Sequence, residues 1–369
     1  MPEPIEAGRE HVRAAVADQA DSWDAAGAVP VELLRDLGRR GLLCAQVPAE
    51  HGGLGLDSRA SGEFTAMVGA LCSSTRSVMT SQGMAAWAIQ RLGSADQQGE
   101  FLPGLTAGRL AAVAMTEEDA GSDLSGIATR ITRSGDEVVV TGAKRWVTAA
   151  QYADFIVVFG RFEEGAAAVV VPTAARSVRV QPVPTPLGCR AAGHAHVEFD
   201  GVRVPYGNVL GGGGPWMSLL VTTALSYGRM SVAWGCVGIL RACLRASAAH
   251  ARKREQGGKP IGEHQLVARL IADLHVAERH ATQACEHAAD RWDANHPDVV
   301  MAAVLAKYVS ARNAAAGSAA AVQILASRGA EDSGPVARAF RDAKLMEIIE
   351  GTNETCQLVL AEHALSTWS

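Results

Sequence analysis

A chain of 369 residues, 48% hydrophobic and 20% charged, is long enough for two or three subdomains and can bury a large interior. Its net charge of −5 argues against nucleic acid or an anionic membrane surface as the main partner, because both reward a clustered basic face. No apolar run approaches the roughly eighteen residues that span a bilayer, and the polar, acidic N-terminal stretch lacks a signal-peptide core, so a cytoplasmic protein without a membrane partner is expected.

Residues 7–104 read as helices broken by glycine turns. Residues 31–40 carry Leu33, Leu34 and Leu37 at helical spacing, and Gly41 closes the run. His51-Gly52-Gly53-Leu54-Gly55 is rich in glycine, yet no strand precedes it and the dinucleotide-binding frame is absent, so it reads as a tight turn. Residues 71–92, rich in Ala, Ser and Met, have the make-up of a helix packed closely on both sides. Met79, Gln82 and Met84 either line a pocket there or fill the core.

Between residues 111 and 210 the pattern changes to period two. Short β-type runs at 137–141, 155–159, 168–171 and 196–199 are separated by Gly, Asp and Pro turns. Strand follows strand without helices between, which predicts a small antiparallel barrel or sandwich and excludes a doubly wound nucleotide-binding fold here. Gly211–Gly214 reads as a linker at a domain boundary. Helices then resume, with Val267, Leu270, Ile271 and Leu274 forming an apolar stripe and residues 301–322 an Ala-rich helix. The fold class is α+β, mainly α, in the order helical, β, helical. The seven scattered cysteines contain no C-x-x-C pair and the eleven histidines no H-E-x-x-H, so reduced core thiols and no metal site are expected.

Near the chain end, Leu345-Met346-Glu347-Ile348-Ile349-Glu350-Gly351-Thr352 sets a carboxylate at an apolar helix end where the backbone can turn sharply. Burial raises a carboxylate's pKa above its reference of about 4.3 and makes it a better base near neutrality. The alternative is a helix-end Glu in water, and these residues alone leave both open. Two further segments suit a bound ring: Met115-Thr116-Glu117-Glu118-Asp119-Ala120-Gly121-Ser122-Asp123 and Gly142-Ala143-Lys144-Arg145-Trp146-Val147-Thr148. Their hydroxyls and loop N–H groups can serve a flat heterocycle's acceptors, and an indole can wall it.

These three segments, in this order, resemble the T-E-P-x-A-G-S-D, K-x-W-I-T and Y-E-G-T motifs of the acyl-CoA dehydrogenases. The likeness extends over nearly the whole chain, through Phe101-Leu102-Pro103-Gly104-Leu105, Arg254-Glu255-Gln256-Gly257 and Arg341-Asp342. The resemblance implies that family's fold, with an N-terminal helical domain over 1–112, a middle antiparallel β domain over 113–212 and a C-terminal four-helix bundle over 213–369 that carries the base. It implies FAD as cofactor and Glu350 as catalytic base. Thr116 and Ser122 would face the flavin and the substrate's thioester arm, Trp146 would flank the ring, and Thr148 would hydrogen-bond near its N5. Arg254, Gln256, Gln323, Thr352 and Glu354 would hold the pyrophosphate and adenosine, partly across a subunit interface of a homodimer or homotetramer. Ser122, Arg229 and Gly351 would border the substrate. An electron acceptor, either a flavoprotein or oxygen, is implied as well.

Residues 71–84, 188–194 and 227–236 look like the branch that oxidises three-carbon units held on an acyl carrier protein, toward hydroxymalonyl and methoxymalonyl polyketide extender units. That likeness implies oxidation of a 2-hydroxy-3-oxopropionyl group, as its hydrate, to the carboxylate. The alternatives are an α,β-dehydrogenase of a short acyl-CoA or acyl-ACP on the same fold, and a non-catalytic scaffold subunit. Several departures from the family pattern bear on the pocket: Ile349 stands where Tyr is usual, Glu118 where Pro is, Gly257 where an aromatic residue is, and Ala326-Ser327 where Gly-Gly is. Gly228 occupies a position at which some relatives carry an alternative base, and glycine cannot serve. His194 and His196 in the β region have no assigned role.

Overall fold

The computed structural model of the chain describes residues 4–214 and 216–368; the first three residues of the acidic N-terminal stretch, Pro215 and Ser369 lie outside the described residues. Six helices come first: α1 (Pro4–Val16), α2 (Ala20–Ala26), α3 (Val31–Arg39), α4 (Ser58–Leu71), α5 (Ser73–Leu92) and α6 (Ala95–Thr106). Their boundaries follow from local chemistry. The Asp57 carboxylate accepts from Ala60 N at 2.7 Å to start α4, and Ser94 with Gln97 forms a capping box on α6. The helix expected over 71–92 begins two residues later, because Cys72 is extended at φ −156° and caps α5 through its sulfur.

Seven strands follow: β1 (Ala111–Ala114), β2 (Arg130–Ser134), β3 (Glu137–Val147), β4 (Phe155–Phe162), β5 (Gly165–Pro172), β6 (Val178–Pro182) and β7 (Ala195–Pro205). The hairpins β2–β3 and β4–β5 and the pairs β3–β7 and β6–β7 are antiparallel, as expected. Two pairings are not: β1 and β2 each run parallel to β4, so the sheet is mixed rather than purely antiparallel. A parallel pair needs a long crossover but not a helical one, and here the β2–β3 hairpin itself carries the chain between β1 and β4. β4 is buried on both faces. Phe155, Val157 and Phe159 pack with Ala85, Leu102 and Leu105 of the helices, while Ile156 and Val158 join Val138 and Val197 inside the sheet.

The rest of the chain comprises α7 (Met217–Lys253), a short hairpin of β8 (Glu255–Gln256) and β9 (Lys259–Pro260), then α8 (Gln265–Asp293), α9 (Val299–Leu325), α10 (Pro335–Met346) and α11 (Asn353–Thr367). Helices α7 to α10 form a bundle whose core is mostly alanine, including Ala233, Ala281, Ala303, Ala314 and Ala343, so the helices approach closely. The expectation that no apolar run approaches a membrane span meets one candidate among the described residues, α7, which holds an 18-residue window of mean hydropathy 1.3. That window is 61% buried inside the protein, and α7 packs on α4, α5, α8, α9 and α10. Its apolarity answers to the core, which an unbroken-run criterion does not detect because Ser, Gly and Arg interrupt the sequence.

Ion pairs fasten α10 to the N-terminal helices, and a hydrogen bond fastens it to the β region. Arg341, nearly buried, pairs with Asp24 of α2 and with Asp332, while Arg338 pairs with Asp21. The neighbouring Asp342 accepts from Cys189 N at 2.6 Å, tying the loop before β7 to the same helix. Since α10 leads directly into Glu350, these contacts fix where that carboxylate emerges.

Candidate functional site

Glu350 lies in the turn between α10 and α11 with φ +56°, a left-handed backbone that a glutamate holds only when its surroundings impose it. Lys307 of α9 supplies much of that constraint. Fully buried, it donates to Gly351 O at 2.6 Å and to Asn353 Oδ1 at 3.3 Å. Arg229 of α7 donates through Nε to Glu350 O at 3.1 Å, and Thr352 caps α11 by accepting from Thr355 N. The turn is thus pinned at its carbonyls by two cations, and no acceptor among the described residues takes the Glu350 N–H.

The side chain turns inward. Its Oε2 is buried without a hydrogen-bond partner among the described residues, although the residue as a whole is only half-buried. Burial raises the Glu350 pKa from 4.5 to about 7, with Arg229, Lys307 and Arg76 pulling it back. Space for the carboxylate comes from Gly228. A Cβ there would overlap Glu350 Oε2 and stand 2.6 Å from its Cδ and 2.9 Å from Met84 Sδ. Met84 therefore borders this carboxylate, whereas Gln82, the other polar candidate on α5, is occupied structurally by Arg109 O and Ala111 N.

Arg76, also on α5, is 0% exposed, and no carboxylate pairs with it among the described residues. Its Nη1 donates to Thr80 Oγ1 at 3.2 Å, its Nη2 meets only Met346 Sδ at 3.0 Å, and its Nε has no partner. The Thr80 hydroxyl lies 2.7 Å from that of Ser231 on α7. A buried guanidinium without an anion costs several kcal/mol by the usual order of magnitude, so an oxygen-rich ligand end would be stabilised there.

The two segments expected to face a ring are locked together. Lys144, fully buried, donates to Glu117 Oε1 at 2.8 Å and to Met115 O at 2.9 Å. Glu117 also accepts from Ala128 N and Thr129 N; burial alone would raise its pKa, but the Lys144 and Thr129 hydrogen bonds hold it below the usual value. Arg145 N donates to Thr116 O at 2.8 Å, so the Thr116 loop lies alongside the end of β3. The β3–β7 register slips between Lys144 and Val147. At that bulge Trp146 adopts φ +54° and leaves its indole 52% exposed, edge-on to His194 and His196. Thr148 follows, half-buried, its Oγ1 3.2 Å from His194 Nδ1.

The expected residues therefore fall into separate groups. Glu350, Gly351, Thr352 and Arg229 converge on the pinned turn, with Glu354 exposed at the start of α11. Thr116, Trp146 and Thr148 share the β3 edge, and Ser122 is exposed on the loop that runs from β1 through Thr116 to β2. Arg254, Gln256 and Gln323 are exposed at the ends of α7, the β8–β9 hairpin and α9, and among the described residues no hydrogen bond or ion pair joins them to the other two groups. Ala326 holds φ +53°, a glycine-like conformation at a position where the family pattern has glycine. Sequence reasoning missed Lys307 and Arg76. A lysine inside the Ala-rich run of 301–322 and a lone arginine among small residues on α5 were the available signals.

These features fit a flavin. A half-exposed indole on a strained bulge offers a flat apolar wall, the Thr148 hydroxyl follows two residues on, and the buried His194, whose Nδ1 lies 3.2 Å from Thr148 Oγ1, leaves Nε2 without a partner among the described residues. Comparison with known proteins agrees with the geometry. Models of the acyl-CoA dehydrogenase N-terminal, middle and C-terminal domains match residues 5–109, 112–202 and 218–365. The chain is 33% identical over 365 residues to the probable acyl-CoA dehydrogenase YngJ of Bacillus subtilis, covering 97% of this chain and 96% of that one. It is 31% identical over 346 residues to the mitochondrial short-chain specific acyl-CoA dehydrogenase of Mus musculus, covering 92% and 84%. Among solved structures, FkbI, described as serving biosynthesis of the methoxymalonyl extender unit of the Fk520 polyketide immunosuppressant, superposes with a TM-score of 0.93 at 58% identity, covering 97% of this chain and 99% of that one.

Proposed function

Because the chain belongs to the acyl-CoA dehydrogenase family, we propose that it oxidises a three-carbon unit on an acyl carrier protein, 2-hydroxy-3-oxopropionyl-ACP, to hydroxymalonyl-ACP for a methoxymalonyl extender unit. The chain is an FAD-dependent oxidoreductase of that family. The finer reading draws support from its 58% identity to FkbI and, within the chain, from Arg76. A buried cation lacking an anion, on the same helix as Met84 beside the base, suits an acyl end that carries two oxygens and becomes a carboxylate. A saturated alkyl end would leave that charge unanswered.

In this reading Glu350 takes a hydroxyl proton from the hydrated aldehyde. FAD, when bound, supplies the two-electron acceptor for the hydrogen that leaves that carbon as hydride. The Glu350 N–H would donate to the thioester oxygen, and Arg229 and Lys307 hold the turn's carbonyls as the carboxylate gains its proton. Trp146 and Thr148 orient the ring, Thr116 and Ser122 border it and the thioester arm, and Arg254, Gln256, Gln323, Thr352 and Glu354 take the pyrophosphate and adenosine. The exposure of Arg254, Gln256 and Gln323 in one chain accords with a site completed across a homo-oligomer, as do the apolar side chains left open on α8 and α11, Leu266, Leu358 and Leu365.

Weighing the product tests the proposal. The three-carbon aldehyde is offered on a carrier protein and on CoA, with a flavoprotein or oxygen as acceptor. Gain of one oxygen, on the carrier protein in preference to CoA, is expected. Loss of two hydrogens instead establishes an α,β-dehydrogenase. Arg76→Gln slows the aldehyde substrate and leaves a saturated short acyl-ACP no worse handled.

A further inference from the structure

His194 closes the loop between β6 and β7 and is 8% exposed. Its backbone is held firmly, since His194 O accepts from Gln151 Nε2 at 2.9 Å and from Val183 N at 2.9 Å. The preceding residues are anchored too, through Ser74 Oγ on Ala191 N and Tyr152 OH on Ala191 O. The ring therefore has a fixed place, with Nδ1 3.2 Å from Thr148 Oγ1, Nε2 buried without a partner, and the Trp146 indole edge-on at 6.0 Å between centroids. Burial and the Arg76 charge lower its pKa to about 4, so the imidazole is neutral near pH 7 and carries one proton.

Where that proton sits decides what Thr148 can do. With the proton on Nε2, the Thr148 hydroxyl spends its hydrogen on Nδ1 and has only lone pairs left for a ligand. With it on Nδ1, the ring donates to Thr148 Oγ1 and the hydroxyl hydrogen is turned outward as a donor. Thr148 is itself held by Ser81, whose Oγ donates to Thr148 O at 3.0 Å, and Ala149 beside it is left-handed at φ +63°, so the backbone carrying the hydroxyl is fixed in place. We propose that His194 is a positioning residue for the flavin: neutral, with Nδ1–H donating to Thr148 Oγ1, it presents the Thr148 hydroxyl as a hydrogen-bond donor to the ring-nitrogen edge of the bound isoalloxazine. This inference rests on the flavin site assigned above to Trp146 and Thr148. It adds a residue that acts through another and makes no contact with the substrate in the mechanism.

The test uses purified FAD-loaded enzyme and reads the flavin directly, by its visible absorption band and by the equilibrium between flavin and a reference dye. H194A shifts the reduction equilibrium about threefold to tenfold, the worth of one hydrogen bond. H194N, whose amide nitrogen replaces Nδ1, returns it to within twofold of the parent, whereas H194Q, whose amide nitrogen replaces Nε2, does not. In a T148V background H194A adds nothing further, because its route has been removed. Full additivity of the two changes, or equal behaviour of H194N and H194Q, overturns the proposal; the Asn and Gln pair alone decides the matter should H194A not fold. T148V without effect on band or equilibrium removes the flavin placement and this inference with it. An effect of T148V with none of H194A removes the inference alone.

Discussion

Gly228→Ala places one methyl group where the geometry has no room. The added Cβ would overlap Glu350 Oε2 and lie 2.6 Å from Cδ and 2.9 Å from Met84 Sδ, against ordinary carbon contacts of about 3.5–4.0 Å. The carboxylate must retreat by about 1 Å, and the backbone cannot share the movement because Lys307 holds Gly351 O at 2.6 Å and Arg229 holds Glu350 O at 3.1 Å. A misplacement of about 1 Å costs roughly a hundredfold in a positioned reaction. The fold suffers less: overpacking costs about 1–3 kcal/mol, and alanine in place of glycine within α7 returns about 1 kcal/mol. Anaerobic stopped-flow absorbance should show flavin bleaching by substrate slowed about a hundredfold, with the melting curve little changed and FAD content kept. Bleaching of G228A within twofold of the parent rate would refute the packing argument that sets Glu350 in place.

Four further outcomes follow from the contacts of Glu350 and of Arg341. Glu350 is an acid whose pKa rises from 4.5 to about 7 on folding, so the stability of its protonated form is complete below pH 4.5 and is lost as pH rises through 7. The full difference is about 3 kcal/mol, and urea titrations should find Glu350→Gln more stable than the parent at pH 8 by up to that amount, with no gain at pH 4. The bleaching rate of the parent should rise with pH about a midpoint near 7, and Lys307→Met, which removes one of the cations that lower the Glu350 pKa, should move that midpoint upward. Arg341→Met leaves Asp24 buried without Arg341; breaking such a pair costs about 3–5 kcal/mol, measurable in the same titrations.

Much of the helical and strand pattern was legible because burial imposes a period. The runs at 31–40 and 301–322 and the four β-type runs all correspond to elements. β1, β2 and β6 escaped notice for physical reasons: β1 is four residues of mostly alanine, and β2 and β6 are short with mostly exposed or half-exposed positions. Parallel pairing to β4 could not be read from periodicity, since register is a property of two strands together. The stripe on α8 illustrates the same limit, for Leu274 is buried while Val267, Leu270 and Ile271 remain half-buried in the single chain.

The site was legible where residues adjacent in sequence form one feature, as in the turn of Glu350, Gly351 and Thr352. It was not legible where distant elements meet. Lys307 is 43 residues before Glu350 in the chain, and Arg76 lies on a helix of the N-terminal region, yet both act on the same carboxylate. Their roles depend on helices α5, α7 and α9 crossing, which no local pattern records. His194 is a further case, an ordinary histidine in sequence whose orphaned nitrogen and Thr148 contact exist only in the folded chain.

The central claim is that Glu350 is the base of this FAD-dependent oxidation, and single-turnover flavin reduction by Glu350→Gln tests it most directly. The amide keeps the size of the side chain but cannot accept a proton in the pH range of the assay. If Glu350 is the base, the variant retains FAD and the parent's circular dichroism while bleaching more than a hundredfold more slowly with the three-carbon acyl-ACP aldehyde. Bleaching at the parent rate would contradict it.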